Sequence, residues 1–282
     1  MPRDPRTLLA GAGLRPRKGS SQNFLVAQPI ARTMARACVH DDEVGRARVI
    51  EIGAGTGALT RLLAERACEL VAIERDPNLI PLLVRELEGT CARVLQGDAV
   101  KLDWGLLSGE PREGSPRVIC GNLPYAVTGA LLRLAVDRCR EVDRVVFMVQ
   151  SEVAQRLTAA PATPAFGALT VFVQAAFDVR RLLRVPPGAF HPPPAVTSAI
   201  VELVPLRPPR ARETEAFRDV VHAAFQSRRK MLRNAWRPLV RDPAVLEKAA
   251  ATAGIALDAR GETLDVEAFA RMASALERQS EP

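Results

Sequence analysis

The strand-like run Arg48-Val49-Ile50-Glu51-Ile52, broken at once by Gly53-Ala54-Gly55-Thr56-Gly57, limits what this chain can fold into more than any other feature. Glycine tolerates backbone angles that other residues avoid and lets a ligand approach the main chain, so the segment predicts a tight turn from a strand into a helix. Similar short apolar, β-branched runs recur at residues 70–73, 92–95, 118–120 and 145–149. They alternate with helical spacing over residues 28–37, 77–87 and 130–136. Buried strands alternating with helices predict an α/β fold on a doubly wound, mostly parallel sheet.

Such a sheet offers a ligand the crevice beyond the carboxyl ends of its strands. The glycine spacing is Gly-x-Gly-x-Gly, not the Gly-x-Gly-x-x-Gly of dinucleotide loops, which argues against a pyrophosphate cradle and for a nucleoside cofactor. Gly53 and Gly55 supply the close approach. Glu74 closes the second strand, 21 residues after Gly53, where an acid accepts hydrogen bonds from both ribose hydroxyls. Asp98 closes the third strand in Gln96-Gly97-Asp98-Ala99, placed for an adenine amino group. Each acid alone is as readily a structural strand end; the register of all of them argues for a ligand.

The fourth strand runs into Gly121-Asn122-Leu123-Pro124-Tyr125. An adenine amine is a poor nucleophile because its lone pair is delocalised into the ring. Two acceptors aimed at its hydrogens draw the nitrogen toward a tetrahedral shape and expose that pair. Asn122 offers a side-chain oxygen and Leu123 a carbonyl whose direction Pro124 fixes. Tyr125 offers a face on which a flipped base can stack. With a sulfonium methyl held in line, positioning lowers the barrier and no strong general base is needed. Phe190, in the proline-rich segment 185–194, is a candidate for the other face of the base, with a buried anchor as the competing role. Glycine loop and amine clamp in this order point to methyl transfer onto an adenine nitrogen.

A net charge of +7 with a pI near 9.7 suggests a polyanionic partner, although arginine-rich composition by itself has a second source in GC-rich coding. Residues 1–20, rich in Arg, Pro, Gly and Ser, are expected to form a basic flexible arm. The five cysteines form no Cys-x-x-Cys pair and the three histidines add no zinc-like cluster, so no metal is expected and a reducing cytoplasm fits. The proline-rich segment reads as a stiff loop before a late strand at 196–204. Beyond Pro205-Leu206-Arg207-Pro208-Pro209 the pattern turns helical. The expected division is therefore 21–206 for the catalytic domain and 207–282 for a small all-helical domain.

These motifs carry a resemblance. The chain resembles the ribosomal RNA adenine dimethyltransferases, most closely the bacterial small-subunit group whose loss gives kasugamycin resistance. The resemblance rests on Gln22-Asn23-Phe24-Leu25, Glu51–Gly57, Glu74, Gly97-Asp98, Gly121–Tyr125, Met148-Val149-Gln150, the segment from Ala189 to Ser198, and Phe225-Gln226-Ser227-Arg228-Arg229-Lys230. It implies a Rossmann-like class I methyltransferase domain that uses S-adenosylmethionine, followed by a helical domain. It implies transfer of two methyls to N6 of each of two adjacent adenosines near the 3′ end of 16S rRNA, within the 30S subunit or its precursor; a monomer is the default expectation for the oligomeric state. Cofactor contacts then fall on Asn23, Leu25, Gly53, Gly55, Glu74, Asp98 and Asn122. The target amine falls to Asn122, Leu123, Pro124 and Tyr125, with Phe190 stacking. Arg15, Arg17, Lys18, Arg228, Arg229 and Lys230 are implied to meet rRNA phosphates. Ser21 and Ser151 depart from the family, which usually has glycine and lysine there. The rivals are the sister group that dimethylates a 23S rRNA adenosine and a non-catalytic RNA-binding assembly factor. A DNA or small-molecule methyltransferase fits less well.

Overall fold

A computed structural model of the chain describes residues 3–16, 22–108, 110, 112–227 and 229–280. The chain divides into two compact units, Met1–Ala154 with Val179–Pro205, and Gln155–Asp178 with Leu206–Pro282.

In chain order the first unit contains α1 (Pro5–Gly11), β1 (Phe24–Leu25), α2 (Gln28–Cys38), β2 (Arg48–Ile52), α3 (Thr60–Ala64), β3 (Glu69–Glu74) and α4 (Ile80–Glu86). It continues with β4 (Ala92–Gln96), α5 (Trp104–Ser108), β5 (Arg117–Asn122), α6 (Thr128–Asp137) and β6 (Arg144–Gln150). After α7 (Ser151–Leu157) and α8 (Ala168–Ala176) come β7 (Phe177–Val185), β8 (Phe190–His191) and β9 (Ser198–Pro205). Seven of the described strands form one sheet in the order β4-β3-β2-β5-β6-β9-β7, and β1 and β8 form a separate pair. From β4 to β6 the pairing is parallel, and β9 returns antiparallel to β6 with Gln150 opposite Ser198. β2 is buried along its whole length, as expected of a central parallel strand covered on both faces. On one face Met34, Ala35 and Cys38 of α2 share a core cluster with Val49, Val118, Val146 and Met148. On the other, Leu83 and Leu87 pack with Ala72.

Two features of the first unit differ from the sequence expectation. The segment expected as a flexible arm contains the short helix α1, with Pro5 near its start and the Asp4 carboxylate accepting from the Arg6 amide at 2.8 Å. Leu9 of this helix packs with Phe24 and Leu79, which gives the arm an apolar anchor that its composition hides. The proline-rich loop, in turn, is not wholly irregular. After a short 3-10 turn at Pro187–Ala189, β8 pairs antiparallel with β1, Leu25 opposite Phe190 and Phe24 opposite His191.

The second unit is helical, comprising the ends of α7 and β7, all of α8, and α9 (Glu215–Phe225), α10 (Leu232–Trp236), α11 (Pro243–Ala253) and α12 (Val266–Ser280). Thr214 caps α9 by accepting from the Phe217 amide, and Gly254 ends α11 in a left-handed conformation at φ 68°. The core gathers Phe166, Phe172, Phe217, Trp236 and Phe269, and the Trp236 indole donates to the Val220 carbonyl at 2.9 Å. The expected boundary at 206/207 therefore misses Gln155–Asp178. That stretch is apolar nearly all round in α8, so it has to be buried, and Phe166, Val171 and Phe172 find their core among the C-terminal helices.

Gly121 explains how tightly β5 lies against β2. A Cβ added there would stand 2.3 Å from the Ile52 carbonyl oxygen, a backbone atom that cannot step aside. Gly121→Ala is expected to destabilise the fold by about 3 kcal/mol or more through overpacking. Urea unfolding measures this, and a change within about 0.5 kcal/mol would contradict the contact.

Candidate active site

Strand order reverses between β2 and β5, and a cavity of about 500 Å³ opens beyond the carboxyl ends of these strands and of β3 and β4. Asn23, Leu25, Gly53, Gly55, Glu74, Asp98, Asn122, Leu123, Pro124 and Tyr125 all line it. Ten of the sequence-predicted positions, spread over a hundred residues of chain, thus converge on one space.

The floor is the glycine turn. Gly53, Gly55 and Gly57 have φ of 73°, 60° and 83°, which side chains with a Cβ rarely adopt. All three also face close neighbours, a Cβ on Gly57 meeting Leu83 Cδ1 at 3.1 Å. A Cβ on Gly55 would meet the Phe24 ring at 3.2 Å, and one on Gly53 would stand 3.6 Å from the Asn122 carbonyl. The turn is thereby held against β1 on one side and the end of β5 on the other.

Glu74 lies beside this turn and is buried. Its Oε2 accepts from the Gly55 amide and its Oε1 from the Asp76 amide, each at 2.8 Å. Burial pushes its carboxyl above the ordinary range, while these backbone donors pull it back. Each oxygen has a further lone pair for a ligand hydroxyl. Asp98 is half-buried, accepts from the Val100 amide at 3.1 Å, and borders the cavity with Ala99 and Val100.

Asn122 is fixed by an unexpected partner. Its Nδ2 donates to the Asn23 carbonyl at 2.9 Å, which commits the amide nitrogen to the protein and leaves Oδ1 as its acceptor end. The backbone behind it is equally constrained. Leu123 donates its amide to Met148 O at 3.1 Å and buries its side chain, and Pro124 at φ −60° leads into a 3-10 turn at Tyr125–Val127. Tyr125 is half-buried, with its hydroxyl 2.9 Å from Ser198 Oγ.

Phe190 requires a correction. It is 4% exposed, belongs to the core cluster that holds Leu25, Ala189 and Ile200, and does not line the cavity. Neighbouring residues of a strand point to opposite faces, and pairing with β1 turns this side chain inward. The competing role of buried anchor is the one observed.

Of the basic residues, Arg15, Arg229 and Lys230 are exposed and are not among the residues that line the cavity, whereas Arg17, Lys18, Arg228 and also Ser21 lie outside the described residues. No group of three or more His, Cys, Asp or Glu among the described residues is arranged to hold a metal ion. No described helix is long and apolar enough to cross a membrane.

Glu51 is the site residue to which sequence reasoning assigned no role of its own. It is 2% exposed, and its Oε2 and the hydroxyls of Thr56 and Thr60 lack well-aligned hydrogen-bond partners among the described residues. Its position on the first strand of a glycine motif was visible; its desolvation was not. Burial pushes the Glu51 carboxyl up to about 8, with the nearby Thr60 hydroxyl opposing and the Glu74 charge reinforcing the rise.

Comparison with known proteins agrees in one direction. A sequence model of the family described as ribosomal RNA adenine dimethylase matches residues 13–278. The chain is 40% identical over 277 residues to ribosomal RNA small subunit methyltransferase A of Anaeromyxobacter sp. (strain K), covering 95% of this chain and 96% of that protein. The protein of the same name from Pelotomaculum thermopropionicum is 41% identical over 285 residues, covering 95% and 94%. Among solved structures, a dimethyladenosine transferase from Plasmodium falciparum superposes with a TM-score of 0.72 at 22% identity, covering 91% of this chain and 98% of that one. The 23S rRNA methyltransferase ErmE superposes with a TM-score of 0.66 at 25% identity, covering 90% and 100%.

The raised Glu51 carboxyl has a measurable consequence. Unfolded, the group has its ordinary value of 4.5. The folded chain therefore holds a proton there that the unfolded chain releases, so the site costs stability increasingly as pH rises from 4.5 to about 8 and uniformly above. Glu51→Gln is expected to melt near the natural chain at pH 5 and several degrees above it at pH 8, in ligand-free protein followed by circular dichroism. A melting difference independent of pH would contradict the buried neutral carboxyl.

Proposed function

The chain belongs to the ribosomal RNA adenine dimethylase family and is an S-adenosylmethionine-dependent rRNA adenine dimethyltransferase, and we propose that its substrate is a pair of adjacent adenosines near the 3′ end of 16S rRNA. The proposal extends to the setting: the 30S subunit or its precursor, met by a monomer in the cytoplasm. The small-subunit assignment is supported by full-length relatives of that name at 40% and 41% identity.

The cavity fits the cofactor on its own features. A turn with glycine at three of its five positions, a buried acid at the end of β3, a second acid at the end of β4 and unsatisfied polar atoms on Glu51 and Thr56 are what a nucleoside with an amino-acid tail requires. Asn23, Leu25, Gly53, Gly55, Glu74, Asp98 and Asn122 are the proposed holding residues. Glu74 takes the ribose hydroxyls and Asp98 the adenine amino group. Bound S-adenosylmethionine supplies a methyl carried on positively charged sulfur.

The chain's part is to present the amine. The hydrogen bond from Asn122 Nδ2 to the Asn23 carbonyl carries this reading, because it leaves Oδ1 to accept one amine hydrogen. The Leu123 carbonyl accepts the other, held in direction by Pro124 and by the buried Leu123 side chain. Tyr125 stacks on the flipped base. Once the amine nitrogen had gained the methyl it would be cationic, and its surplus proton would pass to water. Catalysis here is mostly positioning and desolvation, which suits a site without a strong base. Arg15, Arg17, Lys18, Arg228, Arg229 and Lys230 are proposed to neutralise rRNA phosphates.

Labelled methyl transfer from S-adenosylmethionine to undermethylated 30S subunits, with 50S subunits and naked 23S rRNA in parallel, tests the substrate. Dimethyladenosine in 16S rRNA is expected; label confined to 23S rRNA would reassign the chain to the other branch, and binding without label would remove the catalytic reading. Asn122→Ala is expected to retain most cofactor affinity by calorimetry while losing transfer by about a thousandfold, in the range of removing one aimed polar group. Near-natural turnover would overturn the clamp. Replacing both Arg229 and Lys230 by alanine is expected to lower the slope of log affinity against log salt by about 1.5, as measured by RNA binding across salt concentrations.

A further inference from the structure

We propose that Ser198 is a positioning residue for methyl transfer, acting through the hydroxyl of Tyr125. The inference rests on the assignment of Tyr125 as the surface that receives the target base. Ser198 is 1% exposed and is the first residue of β9, opposite Gln150 in the β6–β9 ladder. β9 runs antiparallel to β6, so its beginning lies at the carboxyl edge of the sheet, the edge at which β5 delivers Asn122. The Thr197 carbonyl just before it accepts from the Ser151 amide at 2.9 Å, which fixes the backbone where Ser198 starts. From this rigid place the Ser198 hydroxyl reaches the Tyr125 hydroxyl at 2.9 Å.

The consequence is mechanical. Tyr125 is held at its backbone by Pro124 and the 3-10 turn that follows, and at the far end of its ring by Ser198. A ring hinged at one end can swing about χ1 and rotate about χ2. Held at both ends, its long axis can no longer swing, and the preference of a phenolic hydroxyl for hydrogen bonds in the plane of its ring biases rotation about χ2. A stacking platform fixed in position and biased in plane limits where the base can rest, and hence the direction of the exocyclic amine toward Asn122 Oδ1. Ser198 does not line the cavity, so its effect passes entirely through Tyr125. A buried serine that merely satisfied a tyrosine hydroxyl would contribute to folding and leave the rate of transfer alone.

The test uses the full chain and single-turnover methyl transfer to undermethylated 30S subunits, with Ser198→Ala, Tyr125→Phe and the double variant. Each removes the hydrogen bond from one side, and Tyr125→Phe keeps the ring. Each single variant is expected to slow transfer about tenfold, on the scale of one hydrogen bond, and the double variant to be no slower than either. Cofactor affinity should stay unchanged, and rates are compared at a temperature at which melting curves show every variant folded. Transfer by Ser198→Ala at the natural rate would overturn the inference, as would losses that multiply in the double variant. Should Ser198→Ala fail to fold, Tyr125→Phe decides alone: a natural rate there overturns it. Absence of label from the natural chain would instead remove the underlying assignment, so the two failures are distinct.

Discussion

The carboxyl edge of the sheet depends on how closely β5 can approach β2. At Gly121 there is no room for even a methyl group, because the Ile52 carbonyl occupies that place. This approach puts the Asn122 backbone beside Gly53, where a Cβ would already be within 3.6 Å of the Asn122 carbonyl. The glycine turn and the proposed amine clamp are therefore one packed object made from two strand ends. A side chain at either glycine would move them apart, and a displacement of about 1 Å is enough to cost large factors in a reaction governed by positioning.

Polar groups at this edge are used sparingly. Glu74 is buried but engaged by two backbone donors, while Glu51 is more deeply buried and avoids an unpaired charge by holding its proton. Asn122 spends its amide nitrogen on the Asn23 carbonyl and keeps its oxygen for the cavity. Tyr125 is tied down through its hydroxyl. Asn122 and Tyr125 are each held by a hydrogen bond to a distant segment, which limits how far the side chain can wander.

Strand and helix positions were largely legible in the sequence because a parallel sheet buried on both faces writes itself as short apolar runs. Residues 48–52 coincide with β2, and the other expected strands lie within one or two residues of β3 to β6 and β9. That the glycine turn, Glu74, Asp98 and Asn122 would meet around one cavity was legible for a related reason: each stands at the carboxyl end of a strand of the same sheet. Three features were not. Helix α1 is a single turn or two anchored by Leu9, too short for periodicity to reveal amid arginine and proline. Residues 155–178 precede the expected boundary, and nothing local tells which core an apolar helix will enter. Phe190 is apolar and sits next to prolines, a description that suits a base-stacking ring and a core anchor equally.

The sequence by itself determined the α/β class, the family, and the glycine turn and Asn122–Tyr125 segment on which the proposed roles rest, because each is carried by local residue identity. Tertiary structure decided which groups share a partner and which face inward. The Asn122–Asn23 bond spans 99 positions and the Tyr125–Ser198 bond 73. The neutrality of Glu51 comes from everything packed around it. Pairing of β8 with β1 buries Phe190. Such relations exist only after distant segments meet, since solvation and hydrogen bonding depend on what surrounds a side chain in space and not on its neighbours in the chain.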